Sequence, residues 1–471
     1  MRSAQLTSAL ILILLSSLCA SADDNSPRTI SDLPPAAQAA IRAAMARNVA
    51  RSPASLRGRH VIPAPVDGPW AQLAQPVPAG NGYGYDYASS VAVSGNVVVV
   101  GQTAVYAGNG KYIGEAFVFV KPSAPDWNNL TQAAVLIASD ELGTDLFATS
   151  VAISGNTIVV GSISGCTNCG PGRAYIYVKP AGGWSGQLTQ TAELTASDGA
   201  NAAAIGTSVS ISGNTAVVGA PGETPGGAYV YVMPTNGWVN MTQTAKLTAS
   251  DGIPSDQFGN SVSISGGTIV AGAPGANGAN TQAGAAYVFT EPAGGWGNMT
   301  QTAKLTASDG ASFDQLGMAA AVNGTTVMVG AVGAIGRIAH TGAAYVYSEP
   351  AGGWKNATEN AKLIAPDGQG DDLFGSAIAI SNNTAVVGAP QRSPGPLNSR
   401  GYPAWWLAGG TYVFAKSGST WTQTSVQVLN GSDAHNDDLM GSSVSIDGNL
   451  VATGAPKSGK YSGAAFLFVK P

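Results

Sequence analysis

Phe258-Gly259-Asn260-Ser261-Val262-Ser263-Ile264-Ser265-Gly266-Gly267-Thr268-Ile269-Val270-Ala271-Gly272-Ala273-Pro274 is one copy of a phrase that this chain writes seven times. Each copy continues through a segment like Gly284-Ala285-Ala286-Tyr287-Val288-Phe289, then a Trp (Trp296), then a segment like Ala303-Lys304-Leu305-Thr306-Ala307-Ser308-Asp309-Gly310. The Phe-Gly step falls at Tyr87-Ala88, Phe147-Ala148, Ile205-Gly206, Phe258-Gly259, Leu316-Gly317, Phe374-Gly375 and Met440-Gly441, with spacings of 53 to 66 residues. A period of that size is the mark of a repeat architecture.

Each copy reads as four short strands. The first is of the type Ser208 to Ser212, followed by the hairpin-forming pair Gly213-Asn214. The second is β-branched (Thr268 to Ala271, Thr384 to Val387) and stops at Gly-Ala-Pro, because proline has no N–H for a ladder. The third is of the type Ala285 to Phe289 and the fourth of the type Ala303 to Ala307. The strands are apolar on both faces, so each small sheet needs cover on both sides. Sheets stacked face to face around an axis provide that cover. The fold class is therefore all-β, a seven-bladed β-propeller of four-stranded blades.

The last copy ends with its third strand, Ala464 to Phe468, and no fourth follows. Trp70-Ala71-Gln72-Leu73 resembles the missing Trp-plus-fourth-strand piece. The expectation is that residues near 69–78 complete the seventh blade and close the ring, which leaves few open edges.

Composition sets the setting. Arg2, an apolar run from Ala9 to Cys19 and Ala20-Ser21-Ala22 read as a signal peptide over residues 1–22, so the product is expected to be secreted or surface-attached. No other apolar run is long enough to span a bilayer. Beyond the leader only Cys166 and Cys169 remain, in one C-x-x-C. One such pair is short of the four ligands of a zinc site, and in an oxidising compartment a local disulfide is the expectation. Residues 23–67 carry six arginines and a short Ala-rich stretch after Pro34-Pro35, read as a linker or pro-segment with a short helix. It is either a cleavable or connecting piece, or an arm that docks on the propeller. The propeller itself, residues 68–471, has 15 basic and 23 acidic side chains. That balance argues against a nucleic-acid partner.

The repeated residues resemble the FG-GAP repeats of integrin α-subunit propellers and of bacterial secreted integrin-like proteins. Phe258-Gly259 with Gly272-Ala273-Pro274, and Phe374-Gly375 with Gly388-Ala389-Pro390, carry both halves of that signature. The resemblance covers residues 68–471. It implies a seven-bladed propeller and a role in adhesion or extracellular recognition. One departure matters. Many such repeats hold calcium in a D-x-D-x-D-G-x-x-D loop, and the tight turns here, such as Ser154 to Thr157, lack its carboxylates. No cofactor is expected. Asp256, Asp314, Asp372 and Asp438 are only weak calcium candidates.

Most of the propeller's carboxylates cluster between the fourth strand of one unit and the first of the next, which makes one end of the ring an acidic rim. Repetition in so many units favours turn chemistry: Asp-Gly starts a turn and a second Asp caps its amides. Phe-Gly and Gly-Ala-Pro are structural by the same reasoning. Residues that break the repeat are better candidates for binding. Unit six has the longest loop between its second and third strands, Gln391 to Ala408, with Arg392, Arg400, Tyr402, Trp405 and Trp406. These are ligand-binding candidates of the anchor type, or else pins for a long loop. Unit one offers Tyr83 and Tyr85 before its first strand and Tyr106 and Tyr112 in its loop; unit five offers Arg337 and His340.

Catalysis is not expected. The three histidines, His60, His340 and His435, fall in the linker and in two separate loops, and no nucleophile elbow, zinc helix or P-loop occurs. Sequons at Asn129, Asn240, Asn298, Asn323, Asn356, Asn382 and Asn430 would accept glycans in a eukaryotic secretory pathway; four of them share one repeat offset. The reading is an exported, monomeric binding module for an extracellular protein or surface polysaccharide. The alternatives are a carbohydrate-binding lectin and, behind it, an extracellular hydrolase or lyase. A chain that starts at Asn81 is expected to lose far more stability than the length of the deletion suggests. Equal melting of the two proteins in a thermal scan would remove any structural role for residues 69–78.

Overall fold

The structure is a computed structural model, and it describes residues 70–76, 84–108, 111–121, 130–140, 145–164, 170–394, 407–418, 420–431, 435–458 and 463–470. The signal peptide expected over residues 1–22 and the linker or pro-segment with a short helix expected over 23–67 lie outside these residues. The described chain is all-β and forms seven sheets, the blades of a propeller. No helix among the described residues is long and apolar enough to cross a membrane.

Blade four shows the common plan. Ser261–Ser265 pairs with Thr268–Ala273, that strand with Ala285–Thr290, and that one with Ala303–Thr306, all antiparallel. The alternating first strand buries Val262 and Ile264, whereas the second and third strands are buried almost throughout. This follows from the residues: a strand covered by a neighbouring blade on each face must be apolar on both. The seventh sheet is ordered Ala71–Ala74, Ala464–Val469, Leu450–Ala455, Ser443–Asp447, with Ala71–Ala74 antiparallel to Ala464–Val469.

Four blades depart from the four-strand expectation by carrying a fifth strand. The extra strand is lent by the following unit from the stretch after its Trp. Leu194-Thr195 of blade two pairs in parallel with Met241-Thr242, and Leu247-Thr248 of blade three with Met299-Thr300. Side chains tie the same strap down. Lys246 N–H donates to Asn298 Oδ1 at 2.7 Å and Lys304 N–H to Asn356 Oδ1 at 2.8 Å. Gln243 receives the Ser197 N–H and donates to Ser197 Oγ, and Gln301 does the same with Ser250. The exposed ladder groups of an outer strand are thereby satisfied. Three of the sequon asparagines, Asn240, Asn298 and Asn356, are acceptors in this strap.

The repeat motif is explained where blades meet. The phenyl ring of Phe258 stands edge-on to Tyr287 and Phe289, centroids 5.5 and 5.9 Å away, and closes a cluster that includes Val217 and Val230 of blade three. Gly259, at φ 91°, turns its carbonyl toward blade three, where Ser208 Oγ donates to it at 3.0 Å. One blade further on, the Gly317 carbonyl lies so close to Gly272 that a Cβ on Gly272 would overlap it. The Phe-Gly of one unit and the Gly of the preceding unit's Gly-Ala-Pro are therefore two sides of one contact. At the opposite end of the inner strands, a side-chain oxygen of each blade accepts from the turn of the next. The acceptors are Ser94, Ser154, Ser212, Ser265, Asn323, Ser381 and Asp447, and the donors are the N–H groups of Gly155, Gly213, Gly266, Gly324, Asn382, Gly448 and Gly95. The series runs head to tail through all seven blades and back to the first.

Gly272→Ala is expected to cost about 3 kcal/mol in urea unfolding, because the added methyl group meets a backbone carbonyl that cannot move aside. Gly294→Ala, with nothing within 4 Å of the new Cβ, is expected to stay within about 0.5 kcal/mol of the parent. Equal losses at both positions would contradict this account of the motif.

Candidate functional site

The Asp-Gly loops and the loops between second and third strands share one end of the ring, and the first question is what their carboxylates do. Among the described residues, the first aspartates Asp140, Asp198, Asp251, Asp309 and Asp367 are held by their neighbours. Tyr229 Oη donates to Asp198, Tyr287 to Asp251, Tyr345 to Asp309 and Tyr412 to Asp367, at 2.6–3.1 Å. Lys246, Lys304, Lys362 and Arg392 complete these groups with ion pairs of 2.6–2.7 Å. Each cation also lies over the face of its tyrosine ring, 5.1–5.8 Å from the centroid. Burial by itself would raise these carboxyl pKa values. The ion pair and the tyrosine hydrogen bond outweigh it and hold all four below the ordinary carboxylate value. Blade two repeats the arrangement with Arg173, Tyr175 and Asp140.

The second aspartates are buried caps. Asp256, Asp314, Asp372 and Asp438 accept the N–H groups of Ile253, Ala311, Gln369 and His435, each three residues back. Unit three has Ala203 at this position. There Glu223, from the loop after the second strand, accepts the Ala200 N–H and approaches Lys246. The weak calcium candidates each cap a turn through one carboxylate oxygen. Among the described residues no group of three or more His, Cys, Asp or Glu side chains could hold a metal ion.

Arg392 is the one unit-six candidate among the described residues. It is turned inward, bonded to Asp367 and to Asn430 Oδ1, with 12% of its side chain exposed. It fills the place that lysine takes in blades three to five. Arg400, Tyr402, Trp405 and Trp406 lie outside the described residues, as do Tyr83, Cys166 and Cys169. Tyr106 and Tyr112 belong to strands rather than to a loop. Blade one carries the long strands Gly84–Ser94, Val97–Gly108 and Lys111–Val120, in which Tyr85 pairs with Ala104 and Tyr106 with Tyr112. Only the backbone of these three tyrosines is described.

The inner strands surround a central throat with a cavity of about 260 Å³. Its wall is not uniform. Ser90, Ser150, Ser208, Ser261 and Ser443 donate across it to carbonyls of the next blade at 2.8–3.0 Å. In blades five and six the same position is Ala319 and Ala377. Met318, 38% exposed, lines the same sector.

On that face, blade five differs from its neighbours. Phe313 is 52% exposed and sits at φ 71°. Equivalent positions with the same left-handed backbone carry Ala202, Asp371 and Asp437. Aspartate tolerates this region, whereas a bulky aromatic is strained there. The adjoining loop adds the exposed Ile335 and Ile338 with exposed Arg337 and His340 between and beyond them. Hydrogen bonds to its backbone lock the loop: Gly333 N–H donates to Asp314 O, the Lys362 side chain through Nζ to Ile335 O, and Asp371 N–H to His340 O. Arg337 and His340 were visible in the sequence as unit-five candidates; the three apolar residues were not singled out. The signal that finds them is an alignment of the units, in which phenylalanine stands where others have aspartate or alanine.

A family model described as FG-GAP repeat matches residues 130–177, 188–231, 241–289, 299–347, 357–402 and 421–468. The chain belongs to the FG-GAP repeat family. Five of the six matched segments of this FG-GAP protein run from the outer edge of one blade to the third strand of the next, and 357–402 ends before the third strand of blade six, Thr411–Ser417, so the family unit spans the blade-to-blade joint. A search of the curated proteins found no match. Among solved structures, the chain is similar to the WD40 domain of coronin from Toxoplasma gondii, with 10% identity, 87% of this chain and 89% of that one covered, and a TM-score of 0.47. It is also similar to the periplasmic gluconolactonase PpgL of Pseudomonas aeruginosa, with 13% identity, 74% and 87% covered, and a TM-score of 0.46.

Asp372 gives a pH test. Burial pushes its carboxyl up to about 6, against the opposing pull of the Gln369 N–H and Arg392. The folded protein then holds a proton between about pH 4 and 6 that the unfolded chain has released, so this group's contribution to stability falls as pH rises through that window. Asn keeps the cap acceptor without the charge. Asp372→Asn is expected to be more stable than the parent at pH 7, by roughly 1–3 kcal/mol, and equal to it at pH 4. Denaturant unfolding at the two pH values checks both the size and the sign.

Proposed function

We propose that this FG-GAP propeller is an exported binding module that engages an extracellular protein through the loop face of blade five. The N-terminal Arg2, apolar run and Ala20-Ser21-Ala22 support export. The carboxylates that repeat around the ring support binding over turnover, because most of those described are committed to tyrosine, lysine, arginine or backbone partners. The observation that carries the reading is Phe313. A half-exposed aromatic in a left-handed conformation costs folding energy, and such strain collects where contact with a partner needs it. Ile335 and Ile338 are exposed on the loop whose Gly333 lies against the Phe313 carbonyl, and aromatic residues with apolar neighbours are the usual anchors of protein contacts.

Phe313→Asp restores the residue that units six and seven use at this position. It is expected to raise stability by about 1 kcal/mol through relief of the left-handed strain. Displayed heptapeptides selected on the intact protein are expected to lose at least about tenfold in affinity for the variant. Peptides that bind parent and variant equally would overturn the assignment of the face.

A further inference from the structure

The charge at this patch sets the chemistry of its partner. Among the described residues, Arg173, Lys246, Lys304, Lys362 and Arg392 are the cations held in ion pairs at this end of the ring. Arg337 is different. It is exposed, makes no ion pair among the described residues, and its one hydrogen bond is a long one, 3.4 Å from Nη1 to Gly368 O. It lies in sequence between Ile335 and Ile338, both exposed. The propeller around it is acidic, with 23 carboxylates against 15 basic side chains. An exposed guanidinium without an ion pair, flanked in sequence by two exposed isoleucines on an otherwise negative module, is complementary to one carboxylate and not to an extended acidic surface.

We infer that the partner is a protein segment presenting an apolar side chain next to an aspartate or glutamate, the apolar group resting on Phe313, Ile335 and Ile338 and the carboxylate forked by Arg337. This rests on the loop-face reading above. Guanidinium suits the second contact because its planar N–H groups match a carboxylate in bidentate fashion. Asp371 borders the patch on the side of blade six, its N–H bonded to His340 O, and its exposed carboxylate repels the ligand's own. That repulsion gives the bound segment one orientation. The locked loop backbone means that little ordering is needed on binding.

The test uses the full-length protein, a displayed random heptapeptide library as probe, and the variants Arg337→Glu and Phe313→Asp, both expected to melt no lower than the parent. Selected peptides are expected to be enriched in Asp or Glu beside Leu, Ile, Phe or Met. Their affinity is expected to fall about tenfold or more on Arg337→Glu. It should recover toward that variant when the peptide carboxylate is replaced by lysine, a recovery that a structural role for Arg337 would not produce. Peptides that depend on Phe313 yet carry no acidic residue, or bind Arg337→Glu as well as the parent, would overturn this inference and leave the loop-face reading standing. Peptides indifferent to both variants would remove both.

Discussion

The contact between the Phe-Gly carbonyl of one blade and the Gly of the preceding blade's Gly-Ala-Pro sets the spacing of the whole ring. At that point a main-chain oxygen reaches the backbone of the adjacent sheet, and only a residue without a side chain lets it do so. The close approach brings the inner serines within reach of the same carbonyls and packs Phe258 and Phe374 against the tyrosine and phenylalanine of their own third strands. At the far end of the inner strands, the head-to-tail series of side-chain bonds runs through all seven blades and returns by way of Asp447 and Gly95. Each blade thus depends on its neighbours for polar satisfaction as well as for apolar cover.

Much of this was legible in the repeat. The phrase that includes Phe258-Gly259 and Gly272-Ala273-Pro274 gives the four strands common to the blades, the turn position and the two-sided burial of the middle strands, since strands apolar on both faces need cover on both. The lent fifth strand was not legible. Met241-Thr242 and Met299-Thr300 are too short to show a period, and what makes them strands is the open ladder of the preceding blade. The long strands of blade one were misread for a related reason. Tyr106 and Tyr112 sit where other units have loop residues, and pairing across the strands, not local pattern, extends the sheet there.

The candidate site was legible only in part. Counting aspartates grouped the Asp-Gly loops at one end of the ring, and turn chemistry explained the second aspartate of four of them. The first aspartate has a further role that no local rule announces, because its tyrosine and its lysine or arginine come from distant strands. Arg392 drew notice as an exception in a long loop, yet it performs the duty that lysine performs elsewhere. Glu223 escaped notice because it compensates for Ala203 from another loop. Phe313 is the reverse case: its side chain is ordinary in the sequence and becomes informative once its backbone angle is known.

The strap between blades has a consequence for how the protein emerges from the ribosome. The groups that finish the outer edge of blade three belong to residues made later: Lys246 waits for Asn298, 52 positions downstream. While blades one to four are being made, the newest sheet therefore has a bare flank, sticky toward any other strand, until the next unit's strap has followed. Slow translation or export would lengthen that vulnerable interval, and a chaperone that shields lone strand edges would shorten it.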